Sequence, residues 1–128
     1  MFEPKATFSG FSVDDIEAAE QFYTQKLGLE LVDDSMGLAF KLPAGAQLFI
    51  YAKDDHQPAT FTVLNFVVAD INAAVDALVG KGVVFERYDD MPGEQDERGI
   101  MRGLAANMGP DIAWFKDPAG NILAVLQD

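Results

Sequence analysis

A chain that repeats itself is committed to two copies of one supersecondary unit, each too small to bury a core alone. Asp15-Ile16-Glu17-Ala18-Ala19 returns as Asp70-Ile71-Asn72-Ala73-Ala74. Each copy follows an apolar, strand-like stretch ending in Val13-Asp14-Asp15 or Val68-Ala69-Asp70, and each precedes a helical pattern that stops at glycine, Gly28 or Gly82. A second pair is closer still: Phe40-Lys41-Leu42-Pro43-Ala44-Gly45 matches Phe115-Lys116-Asp117-Pro118-Ala119-Gly120. The second half carries an insertion, roughly residues 88–110, so the matched elements keep their order while their spacing grows.

Local pattern gives the unit its parts. Residues 7–13 alternate as a strand, with Phe11 and Val13 on one face and Phe8, Gly10 and Ser12 on the other. Asp15 is placed to cap a helix, because its carboxylate can accept from the free N–H groups of the first turn. Ile16, Ala19, Phe22, Tyr23 and Leu27 follow at amphipathic spacing. Short apolar runs at 29–32, 36–42 and 47–52 read as three strands, the last two joined by a Pro43-Ala44-Gly45 turn. The second half repeats this as a strand at 61–68, a helix at 71–81, a strand at 83–88, and a hairpin of 112–116 and 122–127 around Pro118-Ala119-Gly120. Residues 54–60, polar and containing a proline, read as the linker. The expected fold is α+β: one domain, 1–128, made of two βαβββ modules at 1–55 and 60–128 that pack together.

Charge narrows the partners. The 128 residues include 21 acids against 9 bases, a formal net charge of −12. Such a chain lacks the basic face that phosphate backbones and anionic membranes require, so neither nucleic acid nor membrane is expected as a partner. The acidity fits a soluble cytoplasmic protein and favours a cationic ligand. With no cysteine there is no disulfide, thiolate metal site or cysteine nucleophile. The N-terminal stretch does not read as a signal peptide, and no apolar run is long enough to span a bilayer. His56 is the sole histidine and falls in the linker, where it reads as a solvated loop residue; serine–histidine chemistry is unsupported on that reading. The paired acids Asp14-Asp15, Asp33-Asp34 and Asp54-Asp55 are explained by capping and solvation.

Ser12-Val13-Asp14-Asp15-Ile16 through Phe22-Tyr23 and Lys26-Leu27-Gly28 resembles a module opening of the vicinal oxygen chelate superfamily, and Phe115 through Asn121 resembles its closing hairpin. That superfamily holds glyoxalase I, extradiol dioxygenases, fosfomycin-resistance enzymes and bleomycin-binding proteins. The resemblance covers nearly the whole chain and implies a mixed sheet curled around a cleft, in a homodimer. It says little about reaction, since one scaffold hosts many activities. In metal-dependent members four strand positions hold a divalent ion through His, Gln or Glu. Carried over, these are Phe8 and Val63, seven residues before each helix-start aspartate; Ala124, three after Asn121; and Phe49, its repeat counterpart. None has a side-chain donor, and a divalent metal needs imidazole, carboxylate or amide oxygen. A relocated acidic site at Asp89, Asp90, Glu94 and Asp96 reads instead as a solvated charge run.

No cofactor and no metal are therefore expected. Alternation lines the cleft with Phe8, Gln47, Phe49, Tyr51, Val63, Asn65 and Ala124, an apolar concavity with a few polar groups. Trp114 is added as a stacking surface, and Arg102, in the glycine- and methionine-rich insertion, as a partner for a ligand's acid group. The expected function is metal-independent binding of a small aromatic or cationic molecule, as in bleomycin resistance. The alternative is a superfamily lyase, isomerase or dioxygenase with a relocated metal or a metal-free mechanism.

Overall fold

Two aspartates start the helices. Asp15 Oδ1 accepts from the N–H groups of Glu17 and Ala18, both at 3.1 Å, and Asp70 Oδ1 accepts from Asn72 and Ala73 at 3.0 and 3.2 Å. Each side chain thus satisfies donors that a helix start leaves open. The computed structural model describes residues 1–90 and 93–128, which form two compact units, Met1–Pro58 and Ala59–Asp128.

The first unit runs β1 (Ser9–Val13), α1 (Ile16–Gln21), a π-helical turn (Phe22–Lys26), β2 (Glu30–Asp33), β3 (Leu38–Lys41), a 3₁₀ turn (Pro43–Gly45) and β4 (Gln47–Ala52). Its sheet has the order β1-β4-β3-β2, parallel at β1/β4 and antiparallel elsewhere. One face buries Val13, Leu38, Phe40, Leu48 and Ile50 together with Ala19, Phe22 and Tyr23 of the helical segment. The expected single helix to Leu27 breaks at Phe22. The Thr24 hydroxyl donates to the Glu20 carbonyl at 2.6 Å, and Leu27 N–H reaches back five residues to the Phe22 carbonyl at 3.1 Å. Back-bonding of this kind bends helices, and the wider turn keeps both Phe22 and Tyr23 buried.

The second unit runs β5 (Thr62–Val67), α2 (Ile71–Gly80), β6 (Met101–Arg102), β7 (Asp111–Lys116) and β8 (Ile122–Gln127), with sheet order β5-β8-β7-β6. Ala113, Phe115, Leu123 and Val125 share its core face, and α2 contributes Ile71 and Val75 to the buried set. The closing turn is held by its own side chains: Asp117 Oδ1 accepts from Ala119 and Asn121 N–H, both at 2.9 Å, and Asn121 Nδ2 donates to Asp117 Oδ2 at 3.0 Å. Both acid and amide are buried, and each answers the other's hydrogen-bonding demand.

The strand expected at 83–88 does not form. A single antiparallel bridge joins Phe85 to Phe115, and Glu86 N–H donates to the Trp114 carbonyl at 2.8 Å. Beyond it the backbone is captured by Gln95, whose Nε2 donates to the carbonyls of Glu86 at 3.0 Å and Gly99 at 2.8 Å while its Oε1 accepts from Tyr88 N–H. The sheet's fourth strand comes from the insertion instead, as β6 beside β7. No helix of the described residues is long and apolar enough to cross a membrane.

Candidate functional site

The face of the first sheet opposite its core carries the most coherent site. Gly10, Phe49 and Ala39 lie abreast across β1, β4 and β3, as do Gln47 and Lys41 across the β3–β4 hairpin. Phe49 is the centre of an aromatic row. Its ring meets Phe8 edge-on at 6.3 Å and stacks on Tyr51 at 6.1 Å. Two glycines make room for it. A Cβ on Gly10 would stand 3.0 Å from the Phe49 carbonyl oxygen, and one on Gly37 would stand 2.6 Å from the Phe49 ring. Phe8 is 67% exposed and Tyr51 39%, so the row faces outward. Beside it lies a concavity of about 510 Å³ whose lining includes Phe8, Val32, Ala39, Lys41, Gln47 and Phe49. Lys41 is its one charged lining residue and makes no ion pair among the described residues.

Sequence alternation finds Phe8, Gln47, Phe49 and Tyr51 but misses Val32, Ala39 and Lys41. Pairing β3 with β4 around the Pro43–Gly45 turn is the signal that brings in Ala39 and Lys41, because residues opposite each other in a register share a face; Val32 sits at an irregularity of β2 that no pattern registers.

The remaining expected residues lie in the second unit. Asn65, Ala124 and Trp114 stand abreast across β5, β8 and β7. Val63 falls at a bulge, so Thr62 rather than Val63 stands opposite Ile122. Trp114 is 8% exposed, and the Tyr88 ring meets it edge-on at 5.5 Å. A shallow hollow of about 410 Å³ lies here, lined in part by Phe61, Thr62, Tyr88 and Trp114. The buried Tyr88 hydroxyl has no hydrogen-bond partner among the described residues. Burial, aided by the Glu86 charge, holds its pKa above the ordinary phenol value.

Arg102 is bound within the insertion. It donates from Nε to Asp96 Oδ2 at 3.1 Å and from a terminal nitrogen to Asn72 Oδ1 at 2.7 Å, and lies 3.6 Å from Asp111. Arg98 adds a hydrogen bond to Asn72 and an ion pair with Asp76, so the two arginines tie the insertion to α2. Asp96, the one described member of the acidic run with a resolved structural task, accepts from Arg98 and Ile100 N–H, both at 2.9 Å. Burial works to raise its pKa, but those two N–H groups and the Arg102 guanidinium outweigh burial and hold it below the ordinary 3.8. A depressed pKa adds stability above the unfolded value that is lost as pH falls through the folded one. The stability gap between the native chain and Asp96→Asn should therefore narrow as pH drops below 3.8 in urea titrations; a gap independent of pH would refute the role.

Phe8, Phe49, Val63 and Ala124, the positions that the family resemblance assigns to an ion, offer only carbon from their side chains. Nor do three or more His, Cys, Asp or Glu side chains gather anywhere among the described residues as a metal set would. The donor chemistry does not fit a metal. His56 departs from its sequence reading. It is half-buried, and its Nδ1 lies 2.6 Å from the Ser12 hydroxyl, a hydrogen bond spanning 44 positions that local sequence pattern cannot register.

Solved structures resemble the chain closely in fold. A member of the glyoxalase/bleomycin resistance protein/dioxygenase superfamily from Sphaerobacter thermophilus is 24% identical, with 96% of this chain and 98% of that one covered at a TM-score of 0.66. An antibiotic binding protein, TnmS3, from a Streptomyces species is 21% identical, with 98% of each chain covered and a TM-score of 0.63. The fosfomycin resistance protein FosX of Listeria monocytogenes is 14% identical over 99% of this chain and 95% of that one, at a TM-score of 0.69. No curated protein sequence matches. A family model covers residues 8–125, nearly the whole of both units, and on that match the chain belongs to the Glyoxalase/Bleomycin resistance protein/Dioxygenase superfamily.

Proposed function

We propose that this protein binds a small aromatic molecule without a metal, on the open face of its first sheet. The observation that carries the reading is the Phe8–Phe49–Tyr51 row beside an apolar concavity of about 510 Å³, the size and make-up of a small-molecule site. An antibiotic-binding protein of the same fold supports the class of activity. Lys41, the one charged residue of the lining among the described residues, favours an aromatic compound with an acidic group over the cation that the overall charge of −12 suggests. Local charge at 4–6 Å outweighs a distant field screened by salt. Phe8, Phe49 and Tyr51 are the principal contacts in this reading. Val63, Asn65, Trp114 and Ala124 form a second, smaller set, and Arg102 organises the insertion. Two modules at 1–55 and 60–128 within one domain, and a homodimer, complete it.

Calorimetric titration with a panel of aromatic carboxylates and aromatic cations tests the reading. Carboxylates should bind, Lys41→Met should weaken them about tenfold while sparing neutral aromatics, and a chelator should change nothing; tenfold corresponds to about 1.4 kcal/mol. Silence across the panel, or binding that a chelator abolishes and added metal restores, would overturn it.

A further inference from the structure

Ser12 and His56 form a contact that ligand binding does not require. Lys53 N–H donates to the Val13 carbonyl at 2.9 Å, prolonging the β1/β4 pairing past the end of β4. His56 N–H then donates to the Lys53 carbonyl at 3.1 Å, closing a turn across which Lys53 and Asp55 are ion-paired. The turn folds the imidazole back onto β1, with Nδ1 2.6 Å from the Ser12 hydroxyl. Both residues are half-buried, so the pair is partly open to solvent. Ser12 stands opposite Tyr51, whose ring stacks on Phe49, so the hydroxyl sits at the end of the aromatic row.

A serine hydroxyl is a weak nucleophile until a neighbouring base takes its proton, and a hydroxyl within hydrogen-bond reach of an imidazole held by its own backbone meets that need. We propose that Ser12 is a nucleophile toward carboxylic esters of aromatic alcohols, with His56 as its general base. Ser12 Oγ forms a bond to the acyl carbon as its proton passes to His56 Nδ1. The ester C–O bond breaks, and the departing aryloxide takes that proton. Water then attacks the acyl-serine and gives a proton to His56. The acid leaves as Ser12 Oγ recovers its proton, so the net change is ester plus water to acid plus alcohol. The aryl group's place on the row rests on the binding reading above; the reactivity of Ser12 does not.

Two probes test this on the full chain: a small alkyl fluorophosphonate, followed by peptide mass mapping, and p-nitrophenyl acetate turnover. One label per chain on Ser12 is expected, with label and turnover both lost in Ser12→Ala. His56→Gln should slow both by about a hundredfold or more, the scale of general base catalysis. His56→Gly should regain labelling when imidazole is added to the solution. Circular dichroism and aromatic-carboxylate titration of each variant report fold and binding separately, so unchanged binding with lost labelling supports the nucleophile alone. Absence of label on Ser12 in the native chain, or His56→Gln labelling at the native rate, would overturn it.

Discussion

Phe49→Ala is expected to weaken binding of aromatic carboxylates by roughly 10–100-fold, about 1.4–2.8 kcal/mol, and to leave the fold standing. Phe49 touches both Phe8 and Tyr51. Its removal therefore disperses the row as well as deleting its centre, and a ligand would then have to order two outlying side chains that Phe49 now holds. Phe49 is half-buried, so its truncation should cost less stability than the about 3–5 kcal/mol of a fully buried aromatic. Gly37→Ala makes the complementary test. A methyl at 2.6 Å from the ring displaces Phe49 without removing it, and Gly37 adopts a positive φ of 143° that alanine resists. Calorimetric titration with one aromatic carboxylate ligand reads both variants, with Val67→Ala, at an exposed position of β5, as the control. Phe49→Ala binding within twofold of native would place the ligand elsewhere.

The parts legible in the sequence are those written in local periodicity. Asp15 and Asp70 cap as their position promises, β4 and β8 have the bounds that alternation gives, and Phe8, Phe49 and Tyr51 share one face. What escaped was governed by side chains acting at a distance on backbone. Residues 83–88 have the pattern of a strand, yet Gln95 takes up the hydrogen bonds of Glu86 and Tyr88 that a strand would have used. The edge of that sheet then passes to Met101–Arg102, a segment whose glycines and methionines read as loop. The Thr24 hydroxyl widens a helix that the apolar spacing had drawn as regular. A bulge at Val63 shifts the alternation of β5 by one residue, which a period of two cannot anticipate. His56, read by composition as solvated, is set against β1 by a turn whose anchor is the Val13 carbonyl. The sequence pattern thus carries the sheets' faces, and long-range side-chain bonds decide their edges and the Ser12–His56 contact.

Tyr23→Ala should destabilise the first unit by about 3–5 kcal/mol, the usual cost of truncating a fully buried aromatic, and so approach the whole stability of a small domain, about 5–15 kcal/mol. Tyr23 is 0% exposed, and its ring meets those of Phe22 at 5.1 Å, Phe40 at 5.9 Å and Phe11 at 6.1 Å. It joins the helical segment to β1 and β3 at once, and the cavity it would leave is walled by rings that cannot collapse inward without moving a strand. Phe40→Ala alone should cost a similar amount. The double variant should lose less than the two together, because each single change already removes their contact, and a coupling of about 0.5–1.5 kcal/mol is the scale for an aromatic pair. Val79→Ala, on the exposed side of α2, should change stability by no more than about 0.5 kcal/mol. Urea unfolding followed by far-ultraviolet circular dichroism measures all four. Additive losses in the double variant would mean that the two rings act independently and that their contact is not what ties the helical segment to β3.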